Sequence, residues 1–349
     1  MQITLQNTEK GQCYAVRFDR YRQQVVDKLK TAVSVRWWDK STGAWMIPAN
    51  NKCKAELDQL TYYVRHFEPV NWGGNESKTD EDIAYQIPDM PELDEDHGLK
   101  IQPYPYQLQG IARGLQLKRF INGDDMGLGK TLESIATINK ADAFPCLVIC
   151  PNTVKINWQR EWHKFTDKKA MVLTDSVRTS WPFFWQTGMN HVFIVNYESL
   201  RKYFVRRINK SEKWTLKDVE FHNTIKLFKS VIIDESHKVK STATQQSKFC
   251  KGITAGKEWI ILLTGTPVVN KPNDLICQLA IMDRMNDLGG WKYFTSRYCS
   301  GPHGASNLKE LNFMLWKHCF FRREKSKVLT QLPDKVRQIV TCEITNRKE

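Results

Sequence analysis

From residue 99 onward, short apolar runs alternate with longer amphipathic segments, and this alternation leaves few folds open. The runs are RFING (119–123), CLVIC (146–150), AMVLT (170–174), HVFIV (191–195), SVIID (230–234) and WIILLT (259–264). A strand with one wet face alternates apolar and polar residues. These runs do not alternate, so both of their faces are expected to be covered, as in a parallel sheet. Helical segments between several of them complete a βαβ order, which predicts an α/β unit. The stretch 201–229 reads as a basic insertion ahead of the run that ends in Asp234.

A chain of 349 residues has room for two or three folding units. Residues 1–68 read as a small separate α+β domain, 69–98 as an acidic linker with Gly and Pro, and 99–335 as the α/β domain. Residues 336–349 read as the start of a further connection. The longest apolar run is about five residues, far short of the roughly 20 that span a membrane. The amino terminus MQITLQNTEKGQ lacks the basic start and apolar middle of a secretory signal. The nine cysteines form no Cys-x-x-Cys pair, which favours a reducing, intracellular setting over a disulfide framework. Cys299, His303, His318 and Cys319 resemble a metal grouping, but the adjacent second pair suits zinc poorly.

Net charge is +14 and uneven. Residues 71–100 hold nine acids and two lysines, so the rest of the chain carries about +21. Such a balance points to a polyanionic partner, although a basic surface without a partner would look the same.

Two short stretches carry the chemistry. GDDMGLGKT (123–131) follows an apolar run and precedes the helical LESIATI. Binding a phosphate takes several backbone N–H donors at close range. Gly127 and Gly129 let the chain wrap that tightly around Leu128, and a helix amino terminus adds partial positive charge. Lys130 is placed to reach the β- and γ-phosphates of ATP and Thr131 to ligate Mg2+. The strict pattern has its first glycine where this chain has Asp124, so this is a shorter Asp-x-Gly-x-Gly-Lys-Thr form. The second stretch is SVIIDESHKVK (230–240), an apolar strand ending in two acids. Buried carboxylates are costly unless something charged faces them. At the carboxyl edge of the same sheet, Asp234 would hold the metal and Glu235 would orient and deprotonate the attacking water. His237 is a polar link onward from that site.

Taken together these stretches resemble the Swi/Snf-type DNA-dependent ATPases of helicase superfamily two, over roughly residues 100–338. YPYQLQGIA (104–112) is similar to that family's adenine-recognising segment, with Gln107 as the reader. CPNTVKINWQREWHKF (150–165) and IVNYESL (194–200) resemble segments of its DNA track, which implies Thr153, Lys155 and Asn157 as DNA contacts. DESH (234–237) resembles a DEAH-box variant. LLTGTP (262–267) resembles the motif coupling hydrolysis to lobe movement, with Thr264 and Thr266 as the links.

Residues 297–340 look closest to the annealing-helicase, fork-remodelling branch. YRQQVVDKLKTAVSVRWWDKSTGAWMIP (21–48) resembles the HARP module that precedes the ATPase there. Trp37, Trp38 and Trp45 stack on bases or pack a core; strand alternation sends Trp37 and Trp38 to opposite faces. Arg322 and Arg323 either brace two lobes or pair with local acids.

The implied fold is a RecA-like parallel sheet with flanking helices, helicase lobe one, preceded by the small α+β domain. The implied cofactors are ATP and Mg2+, and the partner is duplex or forked DNA held with little sequence specificity. The resemblance also implies a second lobe carrying an arginine finger, and the chain reaches Glu349 where that lobe is expected to begin. Weak or absent hydrolysis is therefore expected unless a second-lobe chain completes the site. A non-hydrolysing DNA-binding module is the alternative.

Overall fold

The computed structural model describes residues 1–8, 11–18, 23–64, 70–73, 85–93, 97–210, 212–265, 272–299 and 304–329. Thr266, His303 and residues 336–349 lie outside the described residues. The chain divides into two compact units, Met1–Ala84 and Tyr85–Glu349. Among the described residues, no helix is long and apolar enough to cross a membrane, and no group of three His, Cys, Asp or Glu could hold a metal ion.

The smaller unit runs β1 (Gln2–Thr8), β2 (Gly11–Arg17), α1 (Gln23–Ala32), β3 (Trp37–Asp39), β4 (Ala44–Pro48), α2 (Asn51–Val64) and β5 (Asn71–Gly73). Its five strands lie in the order β3-β4-β2-β1-β5. β5 falls within the stretch expected to be a linker, and it pairs in parallel with β1. Trp37 and Trp38 take opposite faces, as strand alternation requires. Trp37 packs with Cys13, Ala15, Ala44 and Met46, whereas Trp38 is 47% exposed and faces Trp45 across the β3–β4 pair.

The larger unit contains α3 (Pro105–Leu117), β6 (Arg119–Asn122), α4 (Lys130–Lys140), β7 (Cys146–Cys150), α5 (Lys155–Phe165), β8 (Ala170–Val172), α6 (Trp181–Gln186) and β9 (Val192–Asn196). It continues with α7 (Leu200–Phe204), β10 (Val205–Ile208), β11 (Val219–Phe221), β12 (Ser230–Asp234), α8 (Gln245–Thr254), β13 (Trp259–Leu263), α9 (Asn273–Ile281), α10 (Gly290–Tyr298), α11 (Leu308–His318), β14 (Phe320–Phe321) and α12 (Lys325–Val328). All six apolar runs are strands of one seven-stranded sheet, ordered β14-β6-β13-β12-β7-β9-β8. Every pairing is parallel. At its centre Ile232 lies between Val148 and Ile261, and all three are wholly buried. The basic insertion forms the separate β10–β11 ribbon.

Parallel strands present all their carboxyl ends along one edge. β6, β13 and β12 are neighbours there, so residues after 122, 263 and 233 are gathered although far apart in sequence. The seventh strand, β14, was not anticipated, because two phenylalanines give no periodicity to read. It extends the edge beyond β6, and its pairing runs on past the strand itself. Gly123 N–H donates to Phe321 O at 2.9 Å and Asp125 N–H to Arg323 O at 3.1 Å.

That extension straps down the loop after β6. The Arg323 guanidinium bonds both oxygens of Asp124, reaches Glu133 Oε1 on α4 at 2.6 Å, and donates to Tyr106 O on α3. The Arg323 N–H also donates to Asp124 Oδ1 at 2.7 Å, and Arg322 pairs with Asp125 at 3.0 Å. Both arginines therefore pair with local acids. Gly110 on α3 makes room for the cluster, since a Cβ there would stand 2.5 Å from Glu133 Oε2. One guanidinium serves two fully enclosed carboxylates, which leaves an excess negative charge. Burial therefore pushes Glu133 up to about 8, with Arg323 pulling it the other way.

Arg323→Ala leaves Asp124 and Glu133 buried without their cation and should cost about 3–5 kcal/mol in urea denaturation. Glu133 supports the fold fully below its ordinary 4.5 and loses that contribution as pH rises through about 8. Glu133→Gln should remove this decline. Denaturation midpoints at pH 6 and pH 9 should fall less in the variant than in the parent protein.

Candidate functional site

The loop from Gly123 to Lys130 closes over its own lysine. Lys130 Nζ donates to Asp124 O at 2.7 Å and to Asp125 O at 3.2 Å. Gly127 and Gly129 have φ of +86° and +89°, conformations that an L side chain rarely adopts. A Cβ at position 129 would also come within 2.3 Å of Gln107 Nε2. Leu128 is fully buried and anchors the loop, and α4 begins immediately after Gly129. Its first-turn N–H groups face the loop with the helix dipole behind them. Burial lowers the Lys130 pKa, while Asp124, Glu235, Asp234 and Glu133 oppose that shift. Lys130 thus lies in the field of both the loop acids and the acids after β12.

Gln107 turns out to be a strut. Its Oε1 accepts from Tyr104 N–H at 3.0 Å, and its Nε2 donates to Leu128 O at 3.0 Å. The side chain is buried and ties the start of α3 to the tip of the loop. A glutamine amide has two donors and two acceptor sites, so one of each is left for a further partner.

The two acids after β12 occupy different surroundings. Asp234 is largely enclosed. Its Oδ1 accepts from Glu235 N–H at 2.9 Å, its Oδ2 from Trp158 Nε1–H at 2.9 Å, and its backbone carbonyl from the Tyr197 hydroxyl at 2.5 Å. Burial raises its pKa, and the Trp158 hydrogen bond is the largest opposing influence. Glu235 has a side chain 43% exposed and sits in the left-handed region at φ +52°, rare for a residue with a side chain. His237 Nδ1 lies 3.1 Å from Glu235 Oε2 and 3.3 Å from Thr264 Oγ1 at the end of β13. A bond from Ser236 Oγ to Gln278 Oε1 at 2.8 Å holds the turn onto α9.

Lys130, Asp234, Glu235, His237 and Thr264 are therefore brought to one edge, with Gln107, Leu128 and Gly129 linked behind the loop. Thr131 stands in the first turn of α4. Each Asp234 oxygen accepts one N–H and keeps lone pairs in reserve. An aspartate carboxylate and a threonine hydroxyl are both hard oxygen donors, the kind that magnesium takes. Thr153, Lys155 and Asn157 lie elsewhere, around the start of α5. Thr153 and Asn157 are exposed, and Lys155 Nζ is 3.4 Å from Asn196 Oδ1 after β9.

Sequence reasoning missed Glu133, Trp158 and Tyr197, and it noted Asp124 and Arg323 without joining them. Asp124, Glu133 and Arg323 form the cluster behind the loop, and Trp158 and Tyr197 hold Asp234. A signal existed for the first group. An acid where a phosphate loop ordinarily has glycine needs a cation, and Arg322-Arg323 was the basic pair for which local acids were one of two readings.

Comparison with known proteins gives the family and the fold. The chain is 30% identical over 257 residues to a Caenorhabditis elegans protein, the SWI/SNF-related matrix-associated actin-dependent regulator of chromatin subfamily A-like protein 1 homolog. That match covers 68% of this chain and 33% of that protein. The Xenopus laevis protein of the same name, without "homolog", is 26% identical over 95% of this chain and 35% of its own length. The human DNA annealing helicase and endonuclease ZRANB3 is 29% identical over 70% of this chain and 23% of its own length. The chain thus spans about a third or less of these relatives.

Among solved structures, the Sulfolobus solfataricus SWI2/SNF2 ATPase core in complex with dsDNA is similar with a TM-score of 0.54 and 26% identity. It covers 70% of this chain and 49% of that one. The parallel sheet with its flanking helices is accordingly the RecA-like fold of such a core. The SNF2-related domain family matches residues 39–349, and the chain belongs to that family.

Proposed function

We propose that residues 99–335 bind ATP with magnesium and act as the first lobe of a DNA-dependent ATPase on duplex or branched DNA. The observation that carries this reading is the meeting of the Lys130 loop with Asp234 and Glu235 on one sheet edge. In this reading the loop N–H groups and Lys130 hold the phosphates. Thr131 and Asp234 hold magnesium, which when bound neutralises phosphate charge. Glu235, more exposed, orients water and takes its proton. Gln107 offers its remaining donor and acceptor to adenine. His237 and Thr264, with Thr266, carry the state of the site toward the DNA side. Thr153, Lys155 and Asn157 hold the DNA backbone, so binding should weaken strongly with salt.

The finer reading assigns full turnover to this lobe together with a second one that supplies an arginine finger. Such a finger is worth on the order of 10³–10⁵ in rate. Residues 1–73, β5 included, form a HARP-like DNA-gripping domain, and the acidic stretch up to residue 98 is its connection. Supporting this, Phe18, Trp38 and Trp45 line a cavity of about 460 Å3, with Arg17 and Lys30 at its walls. Trp38 meets Trp45 edge-on at 5.5 Å and Lys30 lies 5.9 Å from the Trp45 ring centre, so a stacking face and positive charge occur together.

Lys130→Ala should abolish binding of a fluorescent ATP analogue. Glu235→Gln should keep that binding but reduce DNA-stimulated phosphate release, measured with a second lobe supplied, by about 10²–10⁴. A parent protein that binds no nucleotide would sink the proposal. Trp38→Ala should weaken forked-DNA binding in gel shifts, equivalent to about 1–3 kcal/mol if a base stacks there, without changing the thermal midpoint.

A further inference from the structure

Asp234 is held from two directions, and both holds originate in the segments expected to face DNA. Trp158 lies three residues after Lys155 on α5, is 2% exposed, and donates its only polar hydrogen to Asp234 Oδ2 at 2.9 Å. Tyr197 directly follows Asn196, is 1% exposed, and donates to the Asp234 carbonyl at 2.5 Å. The two segments are also joined to each other. Lys155 reaches Asn196 Oδ1 at 3.4 Å, and Asn196 is fixed by Glu198 at 2.7 Å and Ser199 at 2.8 Å. The result is a closed ring: α5, the turn after β9, the end of β12, and back to α5.

Packing alone does not require this arrangement. Trp162, one turn further along α5, is wholly buried, and its Nε1 has no hydrogen-bond partner among the described residues. The indole of Trp158 instead donates to the carboxylate facing the phosphate loop. Because Trp158 is locked in the core, a shift of α5 moves its N–H and must reorient the Asp234 carboxylate or break the bond. The Tyr197 hydroxyl fixes the backbone of the same residue, so Asp234 cannot follow α5 freely.

We propose that Trp158 and Tyr197 are positioning residues that tie the DNA-facing strip to the carboxylate of Asp234, so that DNA occupancy sets how well the site accepts magnesium with nucleotide. This rests on the function proposed above. Linkage makes the effect mutual: whatever factor DNA contributes to magnesium–nucleotide binding, magnesium–nucleotide returns to DNA binding.

The test uses the full chain and a fluorescent ATP analogue, titrating magnesium with and without duplex DNA at low salt. The parent protein should show a duplex-dependent drop in the half-saturating magnesium concentration, on the order of 5-fold or more. Tyr197→Phe, which removes one oxygen, should stay folded with a modestly lower thermal midpoint and keep its duplex affinity and its magnesium-free nucleotide affinity within about twofold, yet lose that drop. Trp158→Phe should behave alike.

A folded Tyr197→Phe protein that keeps the parental drop overturns the proposal. So does a parent protein that binds duplex with no drop at all. A parent protein that binds no duplex instead defeats the functional reading, and the tie with it. A purely structural role for either residue would move stability without changing the ratio of the two magnesium titrations.

Discussion

The candidate site depends on one guanidinium enclosed between two carboxylates. Arg323 meets Asp124 in the loop after β6 and Glu133 in α4. The cluster is buried, so no part of it can exchange its partner for water without a large cost. This allows an acid to occupy a place where a phosphate loop ordinarily has glycine. It also joins three elements that are distant in sequence: the start of α3 through Tyr106, the loop Gly123–Lys130, and the chain leaving β14. Whatever follows Arg323 is attached mechanically to the loop that would hold nucleotide.

The two acids after β12 are adjacent in sequence but unlike in surroundings. Asp234 is enclosed and hydrogen-bonded on both oxygens, whereas Glu235 is turned by a left-handed backbone toward solvent and His237. Such a difference suits a division of labour in which one acid stays fixed and the other remains accessible. The bonds that fix Asp234 come from α5 and from the turn after β9, so the same contacts that order the acid also reach the lobe's exposed strip.

Much of this was legible in the chain. The six apolar runs suited strands covered on both faces, and all six are strands of the sheet, with β8 at its edge only partly buried. The glycines, Lys130 and the helix that follows had a single sensible arrangement. β14 was not legible, because a two-residue strand is created by its neighbour β6 rather than by its own pattern. Gln107 was legible as important, but its present partners, Tyr104 and Leu128, were not. Arg322 and Arg323 were visible as a pair that braces two lobes or meets local acids, and only the pairing of residues 321–323 along the loop shows which acids they meet.

By itself the sequence determined the parallel sheet, the phosphate-loop form and the positions of the two acids, because these rest on local rules. Unbroken apolar runs need cover, tight turns need glycine, and a strand-end acid needs a cation. Tertiary structure decided the rest. Strand order brings β12 and β13 beside β6, the exit from β14 supplies the cation behind the loop, and buried Trp158 and Tyr197 find Asp234. Those contacts join residues as much as about 200 positions apart, as in the Arg323–Asp124 pair. No local propensity encodes such pairings, which arise when the layers pack and buried polar groups must find partners.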